Sequence, residues 1–236
     1  MSKLVLYQKM TIDFSILHNS KRARTRDQLL VAAQSLLMTH TGAALSIRQI
    51  TDHAGVVHAT FYNYYHDVAA LIADLGELVG ASHAAAVAGF NSDLTDPALR
   101  FARITRQTLR MAASEPGFGR LIFDVGLPAD ILVSELRLRL KLDLAEGLEL
   151  GCFSFADLDL TASLVSGAIS GLALDLHRCH LPITAIEPAT AGLLEILGLD
   201  PAYAALLSNE PVSFPPSPPL PMRWLALPPN GRPSGD

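Results

Sequence analysis

The segment from Ser46 to Asp67, SIRQITDHAGVVHATFYNYYHD, constrains the fold more than any other stretch of the chain. It predicts two short helices around a glycine turn. Ser46 supplies an N-cap hydroxyl, and Gln49, three residues on, completes a reciprocal capping box. Ile47, Ile50 and Ala54 recur at i, i+3 and i+7, one buried stripe over about two turns. Gly55 follows the last periodic residue, where a left-handed backbone is cheap for glycine and costly for a residue with a Cβ. The chain then re-enters a helix through Val57-His58-Ala59-Thr60-Phe61-Tyr62. Helix, glycine turn and second helix make a helix-turn-helix, whose second helix fits the DNA major groove.

The residues before the motif point the same way. Lys21, Arg22, Arg24 and Arg26 crowd the start of a helix predicted to run to about Thr39, with Leu29, Leu30, Ala33, Leu36 and Leu37 as its apolar stripe. A helix N-terminus already carries partial positive charge, so four cations there weaken the helix slightly unless a polyanion lies nearby. The charge of the chain is divided accordingly. Residues 1–70 hold 7 Lys and Arg against 4 Asp and Glu, net +3, and residues 71–236 hold 11 against 19, net −8. A weakly basic head on an acidic body offers one face to nucleic acid.

From Thr25 to Leu75 the chain resembles the DNA-binding region of the TetR family of transcriptional regulators. The resemblance rests on Thr25-Arg26, Ala32-Ala33, Gly42, Ser46-Ile47, Ile50, Ala54-Gly55-Val56, Thr60-Phe61-Tyr62 and Leu71. It implies that the turn and second helix, Val57 to Tyr64, enter the major groove. Contacts then fall to His58, Ala59, Thr60, Tyr62 and Tyr64, with Ser46 and Arg48 from the first helix and Lys21, Arg22, Arg24 and Arg26 beside them. The side chains suit these roles. His58 and Thr60 are short polar groups able to reach base edges, Ala59 can meet a thymine methyl, and tyrosine hydroxyls suit phosphate oxygens. Two positions depart from the family pattern: Val68 replaces a frequent phosphate-gripping lysine, and Tyr65 replaces a phenylalanine. With no Lys or Arg between Arg48 and Arg100, a shallow salt dependence of DNA binding is expected.

Beyond the motif, caps and breakers divide the chain into helices. These cover about 68–89, 97–114, 116–123, 130–150, 157–180, 188–197 and 201–207, with Asp67 and Asp96-Pro97 among the start signals. No period-2 alternation lasts long enough for a strand, so the expected fold is all-α. It consists of a three-helix N-terminal helix-turn-helix domain joined by a long helix to a helical dimerisation and effector domain. The expected segments are an extension (1–20), the DNA-binding head (21–80), the helical body (81–208) and a tail (209–236). Nine of the 15 prolines lie between Pro211 and Asp236, so the tail is expected to be extended or disordered, with Trp224, the sole tryptophan, outside the core.

Cys152 and Cys179 are too few and too isolated for a disulfide framework or a zinc site, and no metal or cofactor is expected. The first twenty residues lack a sustained apolar core, and Asp74 and Glu77, or Asp175 and His177, interrupt the most apolar stretches. The expectation is a cytoplasmic protein without a membrane span. No nucleophile elbow, phosphate-binding glycine loop or metal spacing marks an enzyme.

The body is expected to dimerise, because one helix-turn-helix reads too few base pairs, and two-fold pairs read near-palindromic operators. Ser163, Gly167 and Gly171 at i, i+4 and i+8 make a small-residue stripe for the interface, completed by Leu193, Leu194 and Leu197. The family resemblance implies a small-molecule effector among the central helices, with Phe101, Phe118, Phe123 and His177 as candidate lining and Arg103 or Arg106 facing an anionic group. The resulting picture is a ligand-relieved repressor acting as a homodimer on double-stranded DNA. The alternative is a helical ligand-binding or docking protein with a degraded DNA-reading head.

Overall fold

The structure, a computed structural model, describes residues 20–39, 45–113, 118–124 and 129–227. The described residues form α-helices joined by turns, with no strand. They are α1 (Lys21–Thr39), α2 (Ile47–Ala54), α3 (His58–Phe61), α4 (Val68–Phe90) and α5 (Pro97–Ala113). There follow α6 (Phe118–Phe123), α7 (Ala129–Glu149), α8 (Leu158–His177), α9 (Ile186–Ile196) and α10 (Pro201–Ser208). The all-α expectation holds. The extension at 1–19 and Gly42 lie outside the described residues.

Short polar side chains set the starts of α2, α4, α5, α8 and α10. The Ser46 hydroxyl accepts from the Gln49 amide at 3.3 Å while Gln49 Oε1 accepts from the Ser46 amide at 3.0 Å, closing the capping box. Asp67 caps α4, Asp96 caps α5 and Asp157 caps α8, each accepting a first-turn amide at 2.8 Å. Asp200 caps α10, with Pro201 in its first turn. Gly55 sits at φ 68°, the left-handed turn that ends α2 and redirects the chain into α3.

The head closes around Leu29 and Leu30 of α1, Ile50 of α2, Phe61 of α3, and Leu71 and Leu75 of α4, all fully buried. This core continues into Phe118 and Leu121 of α6, so the head is welded to the body rather than hung from it. A second core joins Phe101 and Ala102 of α5 to Leu144 of α7, Val165 of α8, Leu193, Leu194 and Leu197 around α9, and Leu207 of α10.

The proline-rich tail departs from expectation. Residues 210–227 lie along the body and end on the head. The Arg103 guanidinium holds Glu210 through two bonds of 2.7 and 2.6 Å. Phe214 lies under the guanidinium groups of Arg106 and Arg110, 5.1 and 5.2 Å from its centroid, and against Phe90. Further on, the Gln34 side-chain amide donates to the Met222 carbonyl and accepts from the Met222 amide, both at 2.8 Å. Met222 and Trp224 are buried in the head core. Proline forbids helix, but it does not forbid docking: an extended strand with apolar anchors buries Met222 and Trp224 without any ladder of its own.

Two helices, α4 and α8, are long and apolar enough to cross a membrane by length and composition. Half of that stretch of α4 is buried inside the fold, where Asp74 is paired with Arg26.

Candidate functional site

Phe61 fixes the geometry of the head surface. It is fully buried, so its neighbours on the short α3 turn outward: His58, Ala59 and Tyr62 are exposed and Thr60 is half-exposed. The His58 and Tyr62 rings meet edge-on with centroids 5.6 Å apart, which makes one polar, aromatic ridge. Ser46 and Arg48 are exposed on α2, Arg48 only 3.7 Å from Asp52 one turn on. Lys21, Arg22 and Arg24 are exposed at the start of α1, and the Arg22 guanidinium lies 5.7 Å from the ring of half-buried Tyr64. The helix-turn-helix surface is thus continuous with the basic end of α1.

Arg26 is the exception among the predicted head contacts. Its guanidinium makes a two-pronged pair with Asp74 on α4, at 2.8 and 2.7 Å. The Tyr65 hydroxyl and the Trp224 indole N–H also donate to Asp74, the latter at 3.1 Å. Burial raises the Tyr65 pKa, and the Asp74 charge raises it further, so the hydroxyl keeps its proton. Tyr65, a departure from the family pattern, is therefore a structural donor. Arg26 is committed to this pair within the fold.

In the body, a cavity of about 320 Å³ opens between α4, α5, α7 and α8. Apolar groups dominate, among them Val87, Phe101, Ile104 and Ile169. The polar lining includes His83 and Asn91 of α4 and Thr105 and Thr108 of α5. His83 is 4% exposed, and burial, with the nearby Arg139 charge, pushes its pKa down to about 4, so it is neutral near pH 7.

Of the ligand residues predicted from sequence, Phe101 alone lines this cavity. The others are drawn elsewhere. Arg103 is bound to Glu210, and Arg106 donates to the Glu210 carbonyl at 2.9 Å and lies 3.7 Å from Glu187. Phe118 belongs to the head core. Phe123 stacks near His177, whose Nε2 is 2.9 Å from Asp124. The sequence signal that went unused was the presence of His83 in the largely apolar second half of α4 and of Asn91 at its C-cap, where buried polar residues need a reason.

The small-residue stripe is on the surface: Ser163, Gly167 and Gly171 are exposed, and a Cβ added at either glycine would meet nothing within 4 Å. Leu193, Leu194 and Leu197 are instead buried within the protomer, at 3%, 0% and 0% exposure. They cannot meet a partner, because they fill the space between α5, α8 and α10. The apolar groups beside the stripe are Leu160 and Leu164, both 59% exposed, and Leu174, 37% exposed.

Residues 96–209 match the family model of the tetracyclin repressor-like C-terminal domain. The regulator RolR in complex with its ligand resorcinol superposes with a TM-score of 0.67 at 27% identity, over 82% of this chain and 97% of RolR. The chain belongs to the TetR family of transcriptional regulators. The TetR fold recurs in the fatty acid degradation regulator FadR from Bacillus halodurans, 20% identical, TM-score 0.61, over 74% of this chain and 97% of FadR. It recurs again in a TetR family protein from Vibrio parahaemolyticus, 22% identical, TM-score 0.56, over 73% and 98% of the two chains. A search of curated proteins finds no match. This TetR-family protein is a DNA-binding transcriptional regulator, and its relatives in the family are transcription factors rather than enzymes.

Proposed function

We propose that this regulator is a repressor that binds a near-palindromic operator as a homodimer and leaves it when a small molecule fills the cavity. The observation that carries the reading is the ridge of His58, Ala59, Thr60 and Tyr62, held outward by buried Phe61 and flanked by Lys21, Arg22, Arg24 and Arg48. In this reading His58, Ala59 and Thr60 meet base edges, while Tyr62, Tyr64, Ser46 and the cations position the head on phosphates.

The second copy pairs through the exposed stripe of α8, where Leu160, Leu164, Gly167, Gly171 and Leu174 recur at alternating spacings of four and three. Ser163 lies alongside. Leu193, Leu194 and Leu197 have no part in it. A partner helix covering this stripe would bury the apolar surface that a single chain leaves in water.

RolR takes resorcinol, and the cavity of this chain is of a size for a small molecule. It is walled by α4, the helix that also carries the head, so a ligand that favours one setting of α4 favours one spacing of the two heads. The protein acts where its operator is, in the cytoplasm.

Footprinting on DNA flanking the protein's own coding region tests the proposal. A protected, two-fold-related pair of half-sites is expected, lost in Thr60→Ala and Tyr62→Ala proteins that remain folded. Protection that is equally strong in both variants, or none by the parent protein, overturns the DNA-reading role.

A further inference from the structure

The hydrogen-bond pattern inside the body cavity has a direction. Thr108 gives its single hydroxyl proton to the Ile104 carbonyl at 2.8 Å, so toward His83 Nε2, also at 2.8 Å, it can only accept. His83 therefore carries its proton on Nε2, and Nδ1 is a bare acceptor; it is buried and has no partner among the described residues. Asn91 repeats the pattern. Its amide protons go to the Val87 carbonyl at 2.7 Å and Gln107 Oε1 at 3.3 Å, and its buried Oδ1 accepts from nothing among the described residues. Ser166 and Ser170, also in the lining, donate to carbonyls of their own helix at 3.1 and 2.9 Å. Thr105 adds a hydroxyl that can play either part. A buried acceptor left without a donor is destabilising, and a correctly placed ligand donor removes that penalty.

Charge narrows the ligand further. Arg139 lines the cavity and acts on His83, and Arg100 lines it with Asp143 3.7 Å away. The field beside His83 disfavours an ammonium donor. A carboxylate suits Arg139 but has no proton for Nδ1 of His83 or Oδ1 of Asn91. His83 and Asn91 lie eight residues apart on α4, ~12 Å along the helix, so one small ring reaches one of them and a longer molecule both.

We infer that the cavity selects a neutral, largely apolar molecule carrying a hydroxyl, which donates its proton to His83 Nδ1, with Asn91 Oδ1 as a second acceptor for a longer ligand. This rests on the reading of the cavity as the effector site and adds what that site recognises.

The test uses the full-length protein and matched probes: hydroquinone and 4,4′-biphenol, each against its fully methylated ether, with benzoate and benzylamine as charged controls. Calorimetry is expected to show each phenol binding at least tenfold more tightly than its ether and than either charged probe. Ala88→Trp fills the cavity from an exposed lining position of α4, and phenol binding is expected to fall at least tenfold in it. His83→Leu, where it folds, is expected to bring phenol and ether to within about twofold of each other. Ethers or charged probes binding as well as the phenols, no phenol binding, or unchanged binding in Ala88→Trp would each overturn the inference. Phenols that obey the rule but leave operator binding unaltered would support the inference and count against the effector role.

Discussion

Asp74 accepts four hydrogen bonds, two from Arg26, one from Tyr65 and one from Trp224. Three segments distant in sequence thus converge on one carboxylate with 7% of its side chain exposed. Asp74→Asn keeps the shape but removes the charge and turns an acceptor into a donor facing donors. A loss of about 3 kcal/mol is expected from breaking a largely buried pair, read from the denaturant midpoint with Trp224 emission as probe; an unchanged midpoint contradicts it. Arg26 and Arg48 then separate by salt dependence. Arg48→Ala is expected to lower the slope of log K against log salt by about 2 per dimer, and Arg26→Gln to lower stability while the slope stays put. His83 gives a pH signature. The folded state binds its proton less readily than the unfolded chain, whose histidine titrates near 6.5, so the contribution is full above that value. It declines as pH falls from there toward about 4 and is worth about 3 kcal/mol. Thermal denaturation between those limits should show this fall, and it should be absent in His83→Gln.

Among the helices, the turn at Gly55 separates two causes that often act together. A Cβ there would meet nothing within 4 Å, so the penalty for alanine comes from φ 68° alone. Gly55→Ala is expected to cost about 1 kcal/mol and Gly55→Asn markedly less, because asparagine tolerates the left-handed region. Chemical denaturation of the three proteins measures both; equal losses would mean that packing, not backbone, governs the turn. The docked tail acts on the same head from outside. Its backbone pairs with Gln34 of α1 and its indole with Asp74 of α4, so two head helices share a clasp drawn from the far end of the chain.

The proposed pairing of two copies uses a surface that a single chain leaves open. Leu160, Leu164 and Leu174 flank Ser163, Gly167 and Gly171 on α8, all reachable by solvent in the protomer. Leu164→Arg is expected to yield a monomer that folds normally, with operator affinity lowered at least 100-fold. Sedimentation and gel shift check the two halves of that outcome. A dimeric Leu164→Arg protein would remove α8 from the interface. The buried trio Leu193, Leu194 and Leu197 gives the contrast, since alanine there empties the body core and lowers stability without addressing the partner.

Local chemistry was enough to read the helix starts after Ser46, Asp67 and Asp96, because caps, the capping box and Gly55 act on residues within four positions of themselves; the start of α9 at Ile186 has no side-chain cap and lies two residues before the expected one. It was also enough for the exposed ridge of His58, Ala59 and Tyr62, since burying Phe61 dictates which of its neighbours face water. Spacing alone could not assign partners. Arg26, Arg103 and Arg106 read as free cations, yet Asp74, Glu187 and Glu210 claim them from 48 to 107 residues away. Trp224 read as a loose end because prolines forbid helix, a rule that says nothing about docking. The cavity was hidden for the same reason: an empty space belongs to no segment, and only the packing of four helices around His83 and Asn91 creates it.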